Sequence, residues 1–105
     1  MNNLELITEI KQALQQEFPD IIDKVILFGS QAKGNATENS DHDILVVVNT
    51  DYDWKLKNRI LEILYDFDLK YDILTDVKVI SQDELKTIKG KQPFILEAFE
   101  YGLTL

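Results

Sequence analysis

Two aspartates, Asp41 and Asp43, have a spacing at which their carboxylates can share a cation. Residues i and i+2 of a strand project to the same side of it, with Cα atoms roughly 6–7 Å apart. Two carboxylates at that spacing can bridge divalent cations, and without a cation their repulsion raises the pKa of one of them. The pair is therefore a candidate for metal-dependent chemistry.

A glycine–serine pair lies one loop upstream of these aspartates. Gly29 and Ser30 follow the short apolar run KVILF at residues 24–28. Because glycine has no Cβ, the backbone at Gly29 can come close to a ligand. Exposed amides of the turn, the Ser30 hydroxyl and a helix start would together hold phosphate oxygens. The sequence thus places a candidate phosphate site beside the candidate cation site.

Aspartates with the same spacing also occur at 51/53 and 66/68, so the spacing alone identifies no site. The pair at 51 and 53 is interpreted as a solvated helix N-terminus, where acidic side chains are favourable. The pair at 66 and 68 is interpreted as part of a helix-to-strand turn. Only the pair at 41 and 43 begins a buried strand one loop after Gly-Ser, and this position distinguishes it.

The apolar pattern predicts helices and strands on both sides of the loop. Apolar residues at spacings of three and four predict helices, and continuous or alternating apolar runs predict strands. We expect an α/β (α+β) fold, a small mixed sheet of three to four strands flanked by helices, in a single domain over residues 1–105. The predicted elements are a helix over 3–18 capped by Asn2 or Asn3, strands over 24–28, 43–48 and 73–80, a helix over 53–67 capped by Thr50 or Asp51, a short helix from Ser81 and a last helix from Pro93.

Composition excludes several classes of function. The chain has 105 residues, no cysteine and one histidine, so a disulfide framework, a thiolate zinc site and a two-histidine metalloprotease motif are excluded. The net charge of −8 and the single arginine argue against direct binding of duplex nucleic acid, which needs cations to neutralise phosphates. No apolar run approaches a membrane span, and the start lacks the basic and apolar regions of a signal peptide. A cytoplasmic protein without a membrane partner is expected.

The loop and the strand after it resemble a known signature. GSQAKG at residues 29–34, a gap of five residues and SDHDILVVV at 40–48 resemble the GSxARG–SDxD pattern of the minimal nucleotidyltransferases, a branch of the DNA polymerase beta-like nucleotidyltransferase superfamily. Both glycines, the serine, the alanine, the gap and both aspartates match, and Lys33 stands where arginine is common. The similarity extends over essentially the whole chain and implies a fold like the polymerase beta palm.

The resemblance implies transfer of a nucleoside monophosphate, here AMP from ATP, to an acceptor hydroxyl. It makes Asp41, Asp43 and Asp76 the catalytic residues and the ligands of two Mg²⁺ ions, with Asp76 also helping to deprotonate the acceptor. The two metals would neutralise the triphosphate and stabilise the pyrophosphate leaving group. The nucleotide-binding residues carried over from the resemblance are Gly29, Ser30, Lys33, Gly34 and Ser40.

Three residues near this set have a structural interpretation beside the functional one. Asp72 is a rival of Asp76 as the third carboxylate, but its place before the strand is typical of a turn residue. Lys78 is expected to share a face with Asp76 and to form a structural ion pair with it. His42 points to the opposite face and is interpreted as a half-buried, hydrogen-bonded side chain rather than a ligand.

Other polar and aromatic residues stay open at this point. Lys33 is either a phosphate contact or a solvated charge, with the solvated charge favoured. Ser40 either caps the start of the strand or orients Asp41. Tyr52 and Trp54 could stack on a base, but the position of Trp54 on a helix face favours a place in the core or an interface.

The chain has no room for the helical domain with which larger relatives complete their substrate site. The resemblance implies a partner, either a second copy or a HEPN-domain protein that the chain would inactivate as the antitoxin of a toxin–antitoxin pair. Two alternatives involve no catalysis. The chain could be a module that neutralises the HEPN toxin by contact alone, or a domain that senses a nucleotide by binding it without turnover. Three convergent carboxylates favour the enzyme, because contact alone does not need them.

Overall fold

The computed structural model describes residues 2–29 and 41–105. Four strands form one mixed sheet in the order β3-β2-β1-β4. Strand β1 pairs antiparallel with β2 and with β4, whereas β2 pairs parallel with β3. In chain order the elements are helix α1 (Asn3–Glu17), β1 (Ile22–Phe28), β2 (His42–Val48), α2 (Trp54–Tyr71), β3 (Thr75–Ser81), α3 (Gln82–Leu85), a 3₁₀ turn (Ile88–Lys91), α4 (Pro93–Tyr101) and β4 (Leu103–Thr104).

One face of the sheet, here called the core face, is covered by α1 and α2. Side chains alternate between the two faces of a strand, so Ile44, Val46 and Val48 of β2 point to this face. They pack with Val25 and Leu27 of β1 and with apolar residues of both helices. The predicted mixed sheet flanked by helices is confirmed.

The opposite face, here called the site face, is covered by α4. Leu45 and Val47 of β2 pack there against Ile95 and Ala98 of the helix. Pro93 begins α4 and Gly102 caps its end, as the sequence predicts. The capping box predicted at Ser81 is also present, because the Ser81 hydroxyl accepts from the Glu84 amide and the Glu84 carboxylate accepts from the Ser81 amide.

Two details of the predicted elements are wrong. Helix α2 is capped by Asp53, whose carboxylate accepts from the Leu56 amide at 2.9 Å, and not by Thr50 or Asp51. The helix also continues to Tyr71, so the 66/68 pair lies within it and not in a turn. Asp68 nonetheless has a structural role, since it accepts hydrogen bonds from the amide and the hydroxyl of Thr75 at the start of β3.

Candidate active site

Asp43 and Asp76 are direct neighbours on parallel strands. The register pairs Asp43 of β2 with Asp76 of β3. Neighbouring strands lie about 4.8 Å apart, and residues in register project to the same face. Both carboxylates therefore lie on the site face, beyond the last apolar residues that α4 covers. The predicted convergence of these two aspartates is present in the structure.

The environment of Asp43 opposes its negative charge. Burial raises the pKa of Asp43, and the charges of Asp76, Asp41 and Glu97 raise it further, whereas Lys78 opposes them. A carboxylate that is costly to ionise without a cation binds one with a gain in electrostatic free energy. The Asp43 side chain is thus set up for a positive ligand.

The approach of Gly29 to Asp43 depends on the absence of a side chain. Phe28 is the register partner of Asp43 on β1, and Gly29 follows it with a φ of 74°. A Cβ built on Gly29 would collide with the Asp43 carboxylate. The left-handed backbone at this position is one that glycine adopts without strain. Gly29 therefore both turns the chain at the end of β1 and leaves room for the Asp43 side chain.

Asp41 lies one residue before β2 and is exposed. Its negative charge is a smaller cause of the raised pKa of Asp43, after burial and the charge of Asp76. Within residues 2–29 and 41–105, no three His, Cys, Asp or Glu side chains are grouped closely enough to hold a metal ion. The structure thus brings Asp43 and Asp76 together, with Asp41 at the edge of the pair. Ser30, Lys33, Gly34 and Ser40 lie outside the described residues.

The chain matches the family model of the nucleotidyltransferase domain over residues 7–101. It belongs to this family. Two proteins of Methanocaldococcus jannaschii, provisionally named protein adenylyltransferases, are similar over nearly their whole length. One is 39% identical over 98% of both chains, and the other is 33% identical over 100% of this chain and 99% of the relative. The chain is a nucleotidyltransferase.

Two solved structures share the fold. A mutant of the toxin–antitoxin pair MntA–HpeT matches with a TM-score of 0.62 at 19% identity, over 93% of this chain and 70% of that one. A provisionally named nucleotidyltransferase of Sulfolobus solfataricus matches with a TM-score of 0.53 at 28% identity, over 79% of this chain and 70% of that one. The mixed sheet and its helices are therefore a nucleotidyltransferase fold.

The carboxylates of this nucleotidyltransferase fit Mg²⁺. Mg²⁺ prefers oxygen ligands and is usually held by one or two carboxylates, with waters and substrate phosphates completing its shell. Asp43 and Asp76 supply such a pair, because the register places both carboxylates on the same face of the sheet. A third protein ligand gathered in advance is not required.

Lys78 extends the site along β3. Its ammonium Nζ lies 3.4 Å from Asp76 Oδ1 and 5.4 Å from the centre of the Phe94 ring. Phe94 in turn stacks on Phe28, with ring centres 6.4 Å apart. The predicted ion pair with Asp76 is confirmed. The contact with Phe94 could not be predicted, because it depends on where α4 packs.

His42 and Asp72 have the structural positions that the sequence indicates. Asp72 ends α2 in a left-handed conformation, with φ of 53°, and is a turn residue. Burial lowers the pKa of His42, although the Leu74 backbone and nearby aspartates oppose this. The buried His42 Nδ1 has no hydrogen-bond partner within the described parts of the chain.

The two aromatic residues at the start of α2 have different environments, and a place in the core is wrong for Trp54. Trp54 is 68% exposed and does not belong to the core. The Tyr52 hydroxyl donates to the Val79 carbonyl at 2.9 Å, so this ring ties the start of α2 to β3. Tyr52 also lines a hollow on the site face together with Lys78 and Phe94.

Proposed function

We propose that this nucleotidyltransferase transfers AMP from ATP to a hydroxyl group of a partner protein. The observation that carries the proposal is the pairing of Asp43 with Asp76 on the open end of the site face, next to Gly29. The names of the two Methanocaldococcus relatives support adenylyl transfer to protein, because they match over nearly their full length.

Asp41, Asp43 and Asp76 are the proposed catalytic residues and would hold Mg²⁺. The bound metal would neutralise triphosphate charge and stabilise the departing pyrophosphate. Asp76 accepts the proton of the acceptor hydroxyl, whose oxygen forms a bond to the α-phosphorus while the bond to pyrophosphate breaks. The nucleotide would be bound by Gly29 and by residues of the sequence that follows it, namely Ser30, Lys33, Gly34 and Ser40.

The proposed partner is a HEPN-domain protein that the chain inactivates as its antitoxin. The signature at residues 29–34 and 40–48 supports this partner through the family it resembles. The structural neighbour described as a toxin–antitoxin pair supports the same setting. Helix α4 covers only the apolar part of the site face, so the end that carries Asp43 and Asp76 is compatible with a second chain that completes the acceptor side.

The test is transfer of label from [α-³²P]ATP to the candidate HEPN partner in the presence of Mg²⁺. Wild type is compared with Asp43→Asn, and Asp66→Asn on the exposed side of α2 serves as the matched control. We expect label on the partner, a loss on the order of 10²–10³-fold in Asp43→Asn, as for other groups that stabilise transition-state charge, and wild-type transfer in Asp66→Asn.

The alternatives predict other outcomes of the same assay. If no label is transferred and Asp43→Asn still binds and inactivates the partner, the chain neutralises by contact. If ATP binds but no label reaches the partner and the toxin stays active, the chain is a nucleotide sensor. Either outcome contradicts the proposed transfer reaction.

A further inference from the structure

The segment between α3 and α4 is basic in an otherwise acidic protein. Residues 85–96 contain three lysines, Lys86, Lys89 and Lys91, and no aspartate or glutamate, whereas the whole chain has a net charge of −8. Lys78 of β3 lies beside this segment, because it lines a hollow together with Lys89. We call these four lysines and the two apolar residues among them, Ile88 and Phe94, the basic rim.

The basic rim adjoins the catalytic carboxylates. The hollow has a volume of about 160 Å³, and its polar lining consists of Lys78, Lys89, Gln92, Tyr52 and one carboxylate, that of Glu84, with Phe94 among the apolar residues. Lys78 also contacts Asp76, with 3.4 Å between Nζ and Oδ1. A group bound in the hollow would therefore lie one side chain away from Asp76.

Sheet order places the basic rim on the acceptor side of the site. Strand β2 lies between β1 and β3, so Gly29 and Asp76 are on opposite sides of Asp43. This step rests on the proposed function: if the nucleotide phosphates bind at Gly29, the acceptor approaches from Asp76. The basic rim is the surface that an acceptor meets there.

The charges of the basic rim are accessible to a ligand. Lys86 and Lys91 are exposed and form no ion pair within the described part of the chain. Lys89 is paired with Glu84 at 2.9 Å, yet its side chain is 63% exposed. The distance of 3.4 Å between Lys78 and Asp76 exceeds the 2.7–2.9 Å that is usual for charge-assisted hydrogen bonds.

The basic rim also contains an exposed apolar side chain. Ile88, in the 3₁₀ turn, is 82% exposed, the highest value of the large apolar side chains in the described residues. An exposed apolar residue that stands between Lys86 and Lys89 in the sequence is suited to a ligand that combines carboxylates with an apolar side chain. A peptide segment has this combination, and a nucleic-acid backbone does not.

We propose that the basic rim binds an acidic segment of the acceptor protein and so places its hydroxyl beside Asp76. Charge complementarity is local, because the rest of the chain would repel a long polyanion. The single arginine, Arg59, lies on α2 at the core face and is paired with Glu17 and Glu62. It offers nothing to a nucleic acid that would approach the site face.

The test measures binding of short fluorescein-labelled peptides to the full chain by anisotropy, without ATP. One peptide carries glutamates and a leucine around a serine, and its matched form has glutamine at each glutamate. Lys89→Gln/Lys91→Gln removes two charges of the basic rim, and Lys55→Gln/Lys57→Gln removes two exposed charges of α2. We expect the rim variant to weaken binding of the acidic peptide roughly fivefold, the sum of two exposed charge pairs.

The α2 variant and the wild type should bind alike, and added salt should weaken the acidic peptide more than the glutamine form. Equal binding of both peptides, or an unchanged rim variant, would overturn the proposal. Tighter binding of a labelled oligothymidine than of the acidic peptide would also overturn it and favour a nucleic-acid acceptor. Because no ATP is present, a failure here with AMP transfer to the partner intact contradicts only the basic rim, not the transferase.

Discussion

The two faces of the sheet use the same strands for opposite purposes. On the core face, β1 and β2 present apolar residues along their length to two helices, and the main cluster includes Ile7, Ile10, Leu27 and Ile60, all fully buried. On the site face, the same strands present apolar residues only under α4 and then Asp43. One face stabilises the fold, and the other holds carboxylates that apolar burial alone would not favour.

The difference shows how a small chain stays folded although part of its sheet carries a carboxylate whose charge opposes folding. Burial of apolar side chains contributes roughly 25 cal/mol per Å², and the core face provides most of it. The Asp43 carboxylate, in contrast, is costly to ionise in the folded state, because burial and the charge of Asp76 raise its pKa. The sheet separates these two functions. Because successive side chains of a strand point to opposite faces, a residue at position i can pack in the core while its neighbour at i+1 contributes to the site face.

The largest expected effect is on the core face. Leu27 is fully buried there, so Leu27→Ala should lower the free energy of unfolding by about 2–5 kcal/mol through lost burial and a residual cavity. The matched control is Leu69→Ala, since Leu69 is 67% exposed and should cost less than about 0.5 kcal/mol. Urea unfolding followed by circular dichroism measures both. Equal losses would mean that the core face is not the main source of stability.

Gly29→Ala should damage both stability and activity. The φ of 74° costs an alanine about 1–2 kcal/mol. The added Cβ would also push aside the Asp43 carboxylate. Unfolding measurements and AMP transfer at a temperature where the variant is folded separate the two effects. Full activity in the folded variant would show that Asp43 does not need its present position.

Tyr52→Phe should cost about 1 kcal/mol of stability, the usual net value of one hydrogen bond. The Tyr52 hydroxyl donates to Val79 at 2.9 Å, and burial together with Glu84 raises the pKa of Tyr52 to about 12, so it stays protonated at neutral pH. Tyr65→Phe on the exposed side of α2 is the control. A similar small change in both variants would contradict a structural role of the Tyr52 hydroxyl.

The elements with strong apolar patterns could be predicted from the sequence. Strand β2 is a continuous apolar run and α1 has regular spacing, so both were recognisable without tertiary information. The cap of α2 was not, because Thr50, Asp51 and Asp53 all suit the pattern and only the backbone selects Asp53. Strand β4 has only two residues and is defined by its pairing with Ile26 and Leu27 of β1. No pattern in the local sequence predicts this pairing.

The site was predictable in part for a similar reason. The pairing of Asp43 with Asp76 follows from two strand patterns, and the structure adds the register. The contact of Lys78 with Phe94 and the hollow beside it depend on where α4 packs, and no spacing in the sequence encodes that.

Asp43→Asn should have the smallest effect on stability and the opposite sign to Leu27→Ala, because loss of the Asp43 charge on the site face should stabilise the protein. Burial and the charge of Asp76 raise the pKa of Asp43 in the folded state above its value in the unfolded chain. The folded state therefore binds the proton more tightly, so stability falls as pH rises through this window. At neutral pH wild type bears the full cost, and Asp43→Asn should unfold at a higher temperature.

The advantage of Asp43→Asn should shrink as pH falls through the raised pKa of Asp43, because protonation gives wild type the same relief. Asp66→Asn, on the exposed side of α2, should show no such trend. Added Mg²⁺ should stabilise wild type more than Asp43→Asn, since a cation that binds only the folded state raises its melting temperature. A difference in melting temperature that is independent of pH and of Mg²⁺ would mean that Asp43 is an ordinary surface carboxylate. The two faces of the sheet would then differ in how they pack and not in the cost of a buried charge.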